Sequence, residues 1–375
     1  MRYLLILTFL SALTARSQDQ HSLLVEADSL MLIYKFDGAL RRLEKCDTNR
    51  IDVLLRIAQC NSRLGVNNEA IRPLKRVLDL DSTNVSALNL LAQVYSRSGE
   101  YLNAFECYVL LTDQDSTNGF YYKQAALMAV RLEDIHSART FFSHALNYNP
   151  GDVESSLALG NLLMEMEEYD AVDSVARLAL SLAPASKPIL ILQARANLER
   201  QEYESVVSVV NSLVLQSDTT VVYARLLGES YLYMHKYEEL RRCMLFLFMN
   251  RVQDERVFYC MAVALRELGD ERAAIPWFER AADKSISSNT SVYFSNMGQC
   301  YEAIRKYQEA IKAYRTAHNY SKDPILLYHL ARNYDMYYKK KDMALDYYKR
   351  YMASDDTTRV AREYVKRRIR DLGVY

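Results

Sequence analysis

Residues 85–118, VSALNLLAQVYSRSGEYLNAFECYVLLTDQDSTN, and residues 119–152, GFYYKQAALMAVRLEDIHSARTFFSHALNYNPGD, align over 34 positions without a gap. In the first, Ala92, Gly99, Tyr101, Ala104, Tyr108 and Ser116 fall in order. The second holds Ala126, Glu133, Ile135, Ala138, Phe142 and Pro150 in the same columns. Small residue, turn, bulky residue, small residue, aromatic, breaker: the pattern describes one helical hairpin, written twice. The small residues are needed where its two helices cross closely.

The rest of the chain repeats the pattern. The second small column runs Ala39, Ala70, Ala104, Ala138, Val172, Val206, Leu240, Ala274, Ala310 and Ala344, in steps of 31, six times 34, 36 and 34. A partner column in each first helix holds Ala27, Ala58, Ala92, Ala126, Gly160, Ala194, Gly228, Ala262 and Gly298, with Ala331 in the last unit displaced by one. A fixed period of this length means stacked units sharing one continuous core, in place of the two or three separate domains that 375 residues would otherwise imply. Gly65, Gly99 and Gly269 stand where a hairpin turn asks for positive φ. Pro150, Pro184 and Pro324, or Asp-Ser-Thr at 81–83 and 115–117, stop one helix and cap the next. Val172, Val206 and Leu240 in the small column predict helices set slightly further apart in units five to seven.

The two small columns resemble those of the tetratricopeptide repeat. So do the bulky column (Tyr101, Ile135, Tyr169, Tyr203, Tyr237, Tyr307) and the aromatic column (Tyr108, Phe142, Phe278, Tyr314, Tyr348). The resemblance covers about residues 20–356 and implies an all-α, right-handed superhelical solenoid of about ten hairpins. It also implies an inner groove, lined by first helices, that binds protein or peptide. Some members clamp the C-terminal carboxylate of chaperone tails with Lys and Asn at set places. Leu55 and Gln59 in unit two, and Leu127 beside Lys123 in unit four, depart from that pattern, so this function is not carried over.

The two ends read differently from the repeats. Arg2, the apolar run 3–13 and Ala15-Arg16-Ser17 read as a signal peptide over residues 1–17, cleaved before Gln18. The run is too short for a membrane span. The solenoid is placed at 18–356, and 357–375 as a capping helix. There Ala361, Val365, Ile369 and Leu372 form an apolar stripe, and Arg359, Arg362, Lys366, Arg367 and Arg370 the other face. That basic face is suited to anionic lipid or an acidic protein, or is simply solvated. Such a leader points to a periplasmic or outer-membrane-associated protein of an exported bacterial type, with peripheral envelope association.

Lys plus Arg equals Asp plus Glu, 47 each, so no bulk charge draws nucleic acid. Removing residues 1–17 takes two arginines and no acid, leaving −2. Cys46, Cys60, Cys107, Cys243, Cys260 and Cys300 form no C-x-x-C pair and read as buried small hydrophobes, with a Cys243–Cys260 disulfide as the sharper alternative. The six histidines are scattered, and no phosphate loop, dinucleotide fingerprint or nucleophile elbow occurs. No catalytic residue, metal site or cofactor is assigned. Asp28-Ser29-Leu30 and Asp173-Ser174-Val175 resemble glycosylation acceptors of exported bacterial proteins, though helix-cap chemistry accounts for many such pairs.

Two surfaces carry candidate function. One first-helix column reads Arg63, Arg97 and Arg131 before turning acidic; neighbouring columns add Gln59, Asn89, Gln93, Lys123 and Asn161, then Arg225, Tyr259 and Arg266. Guanidinium forks grip carboxylates and amides grip peptide backbone, so this ladder predicts an extended peptide with its acidic part over Arg63–Arg131. The alternative is an Arg131–Glu165 ion pair among solvated neighbours. The second surface is the run 243–249, which puts Leu245, Phe246 and Met249 in normally polar outward columns. It reads as a convex docking patch, or as locally thick core beneath Trp277. The favoured function is a non-enzymatic scaffold binding protein or peptide in the groove. The alternatives are an accessory subunit docking to an envelope enzyme or transporter through the convex patch, and a cell-wall or carbohydrate-processing enzyme.

Overall fold

The computed structural model describes residues 20–214, 220–285, 289–354 and 359–372, and every regular element among them is helical. The proposed signal peptide lies outside the described residues. Two compact units divide the chain at residues 192 and 193. The amino-terminal unit pairs residues 20–32 (α1) with Phe36–Leu43 (α2), and Ile51–Arg63 (α3) with Asn67–Leu80 (α4). Val85–Ser98 (α5) pairs with Tyr101–Gln114 (α6), Gly119–Arg131 (α7) with Ile135–Tyr148 (α8), and Val153–Glu165 (α9) with Tyr169–Leu182 (α10). Lys187–Glu199 (α11) spans the division and leads to Tyr203–Val214 (α12). The carboxy-terminal unit continues with Val221–Tyr233 (α13) and Tyr237–Met249 (α14), then Glu255–Glu267 (α15) and Glu271–Lys284 (α16). Thr290–Ala303 (α17), Tyr307–Ser321 (α18), Pro324–Met336 (α19), Lys341–Met352 (α20) and Arg359–Leu372 (α21) complete it.

Both small columns are buried throughout, and every Ala, Val or Leu of the second is fully enclosed. Glycine in the first column makes room for a large side chain of another column: an added Cβ would stand 2.4 Å from Met244 Cε at Gly228 and 2.6 Å from the Tyr314 ring at Gly298.

Every hairpin turn places one residue at positive φ. Gly65, Gly99 and Gly269 do so as expected, and so do Tyr34, Glu133, Glu167, Gln201, His235, Arg305 and Lys339. The bonding is shared: Glu100 N donates to Tyr95 O at 2.9 Å after Gly99, and Asp134 N to Ala129 O at 3.0 Å after Glu133. This six-to-one closure satisfies the last carbonyls of the first helix. Between units, Asp81 accepts from the Thr83 backbone and hydroxyl and from Asn84 Nδ2, while Asn84 Oδ1 caps α5 through Ala87 N at 3.0 Å. Asp115, Thr117 and Asn118 repeat the arrangement before α7. The helix cap is thus the asparagine after Asp-Ser-Thr, and the aspartate holds the turn.

Helix α21 packs Ala361, Val365 and Leu372 on the core that contains Tyr348 and Tyr351. One expectation for its outer face needs correcting. Arg362 is half-buried, and its guanidinium donates to Met352 O and Ser354 O, both at 3.1 Å, closing the end of α20. Arg368 is the anchor: it forks onto both oxygens of Asp335 at 2.8 Å. Asp335 is buried and also accepts from the Tyr348 hydroxyl.

Candidate binding surfaces

On α5, Asn89, Gln93 and Arg97 are each four residues apart and therefore share one face; Gln59 and Arg63 do the same on α3. The structure brings all five to one open cleft of about 810 Å³ in the amino-terminal unit. Gln93 Nε2 donates to Asn89 Oδ1 at 3.3 Å, and Arg97 Nη1 donates to Ser62 O at 3.3 Å. Arg63 is exposed and has no hydrogen bond or ion pair among the described residues. The cleft's acid, Asp28, is already held by Arg56 through a two-bond fork at 2.7 and 2.9 Å. The wall therefore presents two guanidinium groups and three amides, with its own carboxylate engaged elsewhere. Facing it are Met31, Leu32, Tyr34 and Phe36. Leu32 and Tyr34 are both 80% exposed. This apolar wall belongs to a terminal repeat whose sequence is degenerate, and its signal is the run Leu32-Ile33-Tyr34 at a turn, where polar residues are usual.

The remaining groove residues are distributed differently. Lys123 Nζ contacts Asp152 at 3.0 Å and Glu154 at 2.6 Å. Burial alone would lower its pKa, but these two acids raise it. Arg225 pairs with Asp254, and Arg266 donates to Glu267 at 2.6 Å, to Asn296 and to Gln299 at 3.3 Å. These three cations are occupied within the stack. Arg131 stays exposed at the end of α7, with no ion pair to Glu165 among the described residues. Asn161 is half-buried on α9. Tyr259 packs against Phe278 and Tyr293 and lines a second cleft of about 460 Å³ with Asp254 and Arg256. A wider hollow of about 1130 Å³ over α2–α4 mixes Glu44, Glu69 and Asp79 with Arg72, Lys75 and Arg76, and so favours neither sign of ligand.

The convex run splits in two. Met249 is 75% exposed and Leu245 41%, whereas Phe246 is half-buried against the core of α13–α15. Phe248 meets Trp277 edge-on at 5.0 Å, and the Arg280 guanidinium lies 4.7 Å over Trp277. Trp277 thus covers part of the run and leaves two side chains outside.

Cys243 and Cys260 carry free thiols, so the disulfide alternative is not formed. Burial pushes Cys60, Cys107, Cys243, Cys260 and Cys300 up to about 11, so at neutral pH these sulfurs carry their protons and behave as apolar groups. Among the described residues, no cluster of three or more His, Cys, Asp or Glu is arranged to hold a metal ion. Ser29 and Ser174 sit inside helices and donate to the carbonyls of Val25 and Asp170. No described helix is long and apolar enough to cross a membrane.

A family model of the tetratricopeptide repeat matches residues 294–323, which span most of α17 and α18. Solved structures agree with the fold. The chain covers 60% of a chain in the structure of Naa15/Naa10 bound to HypK-THB, over 94% of its own length, at 14% identity and a TM-score of 0.50. Residues 294–323 are thus a tetratricopeptide repeat, and the chain has the fold of such repeats. Two further solved structures are similar at lower scores. A tetratricopeptide repeat protein from Parabacteroides merdae matches over 76% of this chain and 98% of that one, at 15% identity and a TM-score of 0.39. The MamA protein matches over 50% and 95%, at 20% identity and a TM-score of 0.40. No curated protein matches the sequence. Such a repeat fold is the architecture of protein-interaction scaffolds.

Proposed function

We propose that this tetratricopeptide-repeat protein is a non-enzymatic exported scaffold that grips an extended acidic peptide in the cleft between α1 and α5. One observation carries the reading. Gln59, Arg63, Asn89, Gln93 and Arg97 line a single open cleft in which Arg63 has no protein partner among the described residues. A carboxylate entering between Arg63 and Arg97 meets two forked donors, the amides are placed for peptide backbone, and Leu32 and Tyr34 are available to an apolar side chain. Lys123, Arg225 and Arg266 are left out of the site, because their charge is already matched. Residues 1–17 support an exported, envelope-associated setting, periplasmic or at the outer membrane.

The test is fluorescence anisotropy with a labelled glutamate-rich decapeptide and a lysine-rich control. Charge-assisted hydrogen bonds contribute about 1.5–3 kcal/mol each, so Arg63→Ala with Arg97→Ala is expected to weaken the acidic peptide by at least a hundredfold. Equal affinity of both variants and both peptides would remove the groove from consideration. The second reading, an accessory subunit docked through its convex face, rests on the exposure of Leu245 and Met249. Leu245→Ser with Met249→Ser, compared with the arginine pair in a pull-down from envelope extract, separates the two.

A further inference from the structure

The turn between α19 and α20 reads Met336-Tyr337-Tyr338-Lys339-Lys340-Lys341, and all six residues are exposed. It is held in place: Tyr338 N donates to Asn333 O at 3.4 Å and Lys340 N to Tyr334 O at 3.1 Å. The Tyr337 ring stacks on Tyr307, and the Tyr338 ring lies 6.3 Å from Tyr334. Each tyrosine thus has one supported face and one wet edge. Beside this turn, Arg368 of α21 forks onto Asp335, the residue immediately before Met336. The same helix exposes Lys366, Arg367 and Arg370 on one stripe. The Arg368 bridge therefore seats α21 against the end of α19, so the lysine turn and the basic stripe belong to the same end of the carboxy-terminal unit. Within residues 336–342 and 366–371 the acids are Asp342 and Asp371, the latter engaged by Arg368 at 3.3 Å, against six lysines and arginines besides Arg368. The whole chain has zero formal charge, so this excess is local.

We propose that this end of the carboxy-terminal unit binds the surface of an anionic bilayer. Lysine and arginine meet the phosphate-bearing headgroups, and Met336, Tyr337 and Tyr338 sit at the boundary with the acyl chains. Amphipathic aromatics next to clustered bases are the side-chain pairing that such a boundary selects. A solvated basic face needs no exposed Met-Tyr-Tyr at its centre, and an acidic protein partner needs no aromatic rim. This surface is separate from the α1–α5 cleft, so either assignment stands without the other.

The test is cosedimentation of the whole chain with vesicles of phosphatidylcholine alone, or with one third phosphatidylglycerol. Binding is expected to the anionic vesicles only, and to weaken with salt. Each neutralised base lowers partition about fivefold. Lys339→Asn, Lys340→Gln, Arg367→Gln and Arg370→Gln together therefore lose roughly several hundredfold, with helical circular dichroism unchanged. Tyr337→Ser with Tyr338→Ser keeps the charge and loses several-fold. Equal partition to neutral vesicles, or an unaltered charge variant, overturns the proposal. So does an unaltered tyrosine variant combined with equally tight binding of soluble polyglutamate, which marks an acidic-protein site.

Discussion

The fold holds His329 in its neutral form. Its ring stacks on Tyr314 at 4.9 Å and meets Tyr328 edge-on, and its buried Nδ1 has no hydrogen-bond partner among the described residues. Burial, then the nearby Arg332, pulls its pKa down from 6.5 to about 4. The unfolded chain takes up this proton near its ordinary pKa, and the folded chain only near 4. The contribution to stability is therefore complete above about 6.5 and is lost as pH falls from there toward 4, by about 1.4 kcal/mol per unit. Between pH 7 and pH 5 the native chain is expected to lose roughly 2 kcal/mol more than His329→Phe in urea unfolding. Parallel losses would mean that the imidazole protonates in place. At this scale the sequence displays a residue's type and face but not its neighbour. Arg63 and Lys123 both stand in expected groove columns. Lys123 is spent on Asp152 and Glu154, acids 29 and 31 positions away, while Arg63 is not. Arg362 and Arg368 exchange their expected visibility for the same reason, since only packing shows which arginine meets a carbonyl and which a carboxylate.

Among the elements, the hairpin turn has one backbone shape and several residue types. Glycine adopts positive φ freely at residue 99, whereas Glu133 adopts it at 59° with a Cβ that disfavours the region by about 1–2 kcal/mol. Glu133→Gly is therefore expected to stabilise the amino-terminal unit by up to about 1 kcal/mol once the added chain entropy is subtracted, and Gly99→Ala to cost about 1 kcal/mol. Thermal unfolding of the two variants decides it, and a destabilised Glu133→Gly would show that the glutamate side chain matters more than the strain. The three glycine turns were legible directly. The other seven were legible only as a column, because Tyr34, Gln201 or His235 does not advertise a left-handed conformation.

For the whole molecule, the period made the all-α stack readable before any contact was known. How its end is sealed was less readable. Arg368→Ala strands Asp335 among Tyr348 and the α21 interface, and removing one partner of a buried pair costs about 3–5 kcal/mol. Urea unfolding of the carboxy-terminal unit is expected to show that loss, with most of it recovered by adding Asp335→Asn. A loss below about 1 kcal/mol would mean that the apolar stripe alone seats the cap. The pairs Lys123–Asp152 and Arg225–Asp254 reach further than their own energies. In each, the acid 29 positions on also caps the next first helix, Asp152 through Glu154 N and Asp254 through Val257 N. Three other units have neutral residues at both places, Leu55 before Asn84, Asn89 before Asn118 and Leu157 before Ser186, whereas the charged cap Asp323 follows the neutral Phe294. Asp, Asn and Ser cap comparably well, so at residues 152 and 254 it is the ion pair that matches the aspartate to the preceding hairpin. Neighbouring hairpins therefore have a reading order: a 34-residue block cut from one place and spliced into another would keep its fold and lose its match, a lysine facing a serine or an aspartate facing a leucine.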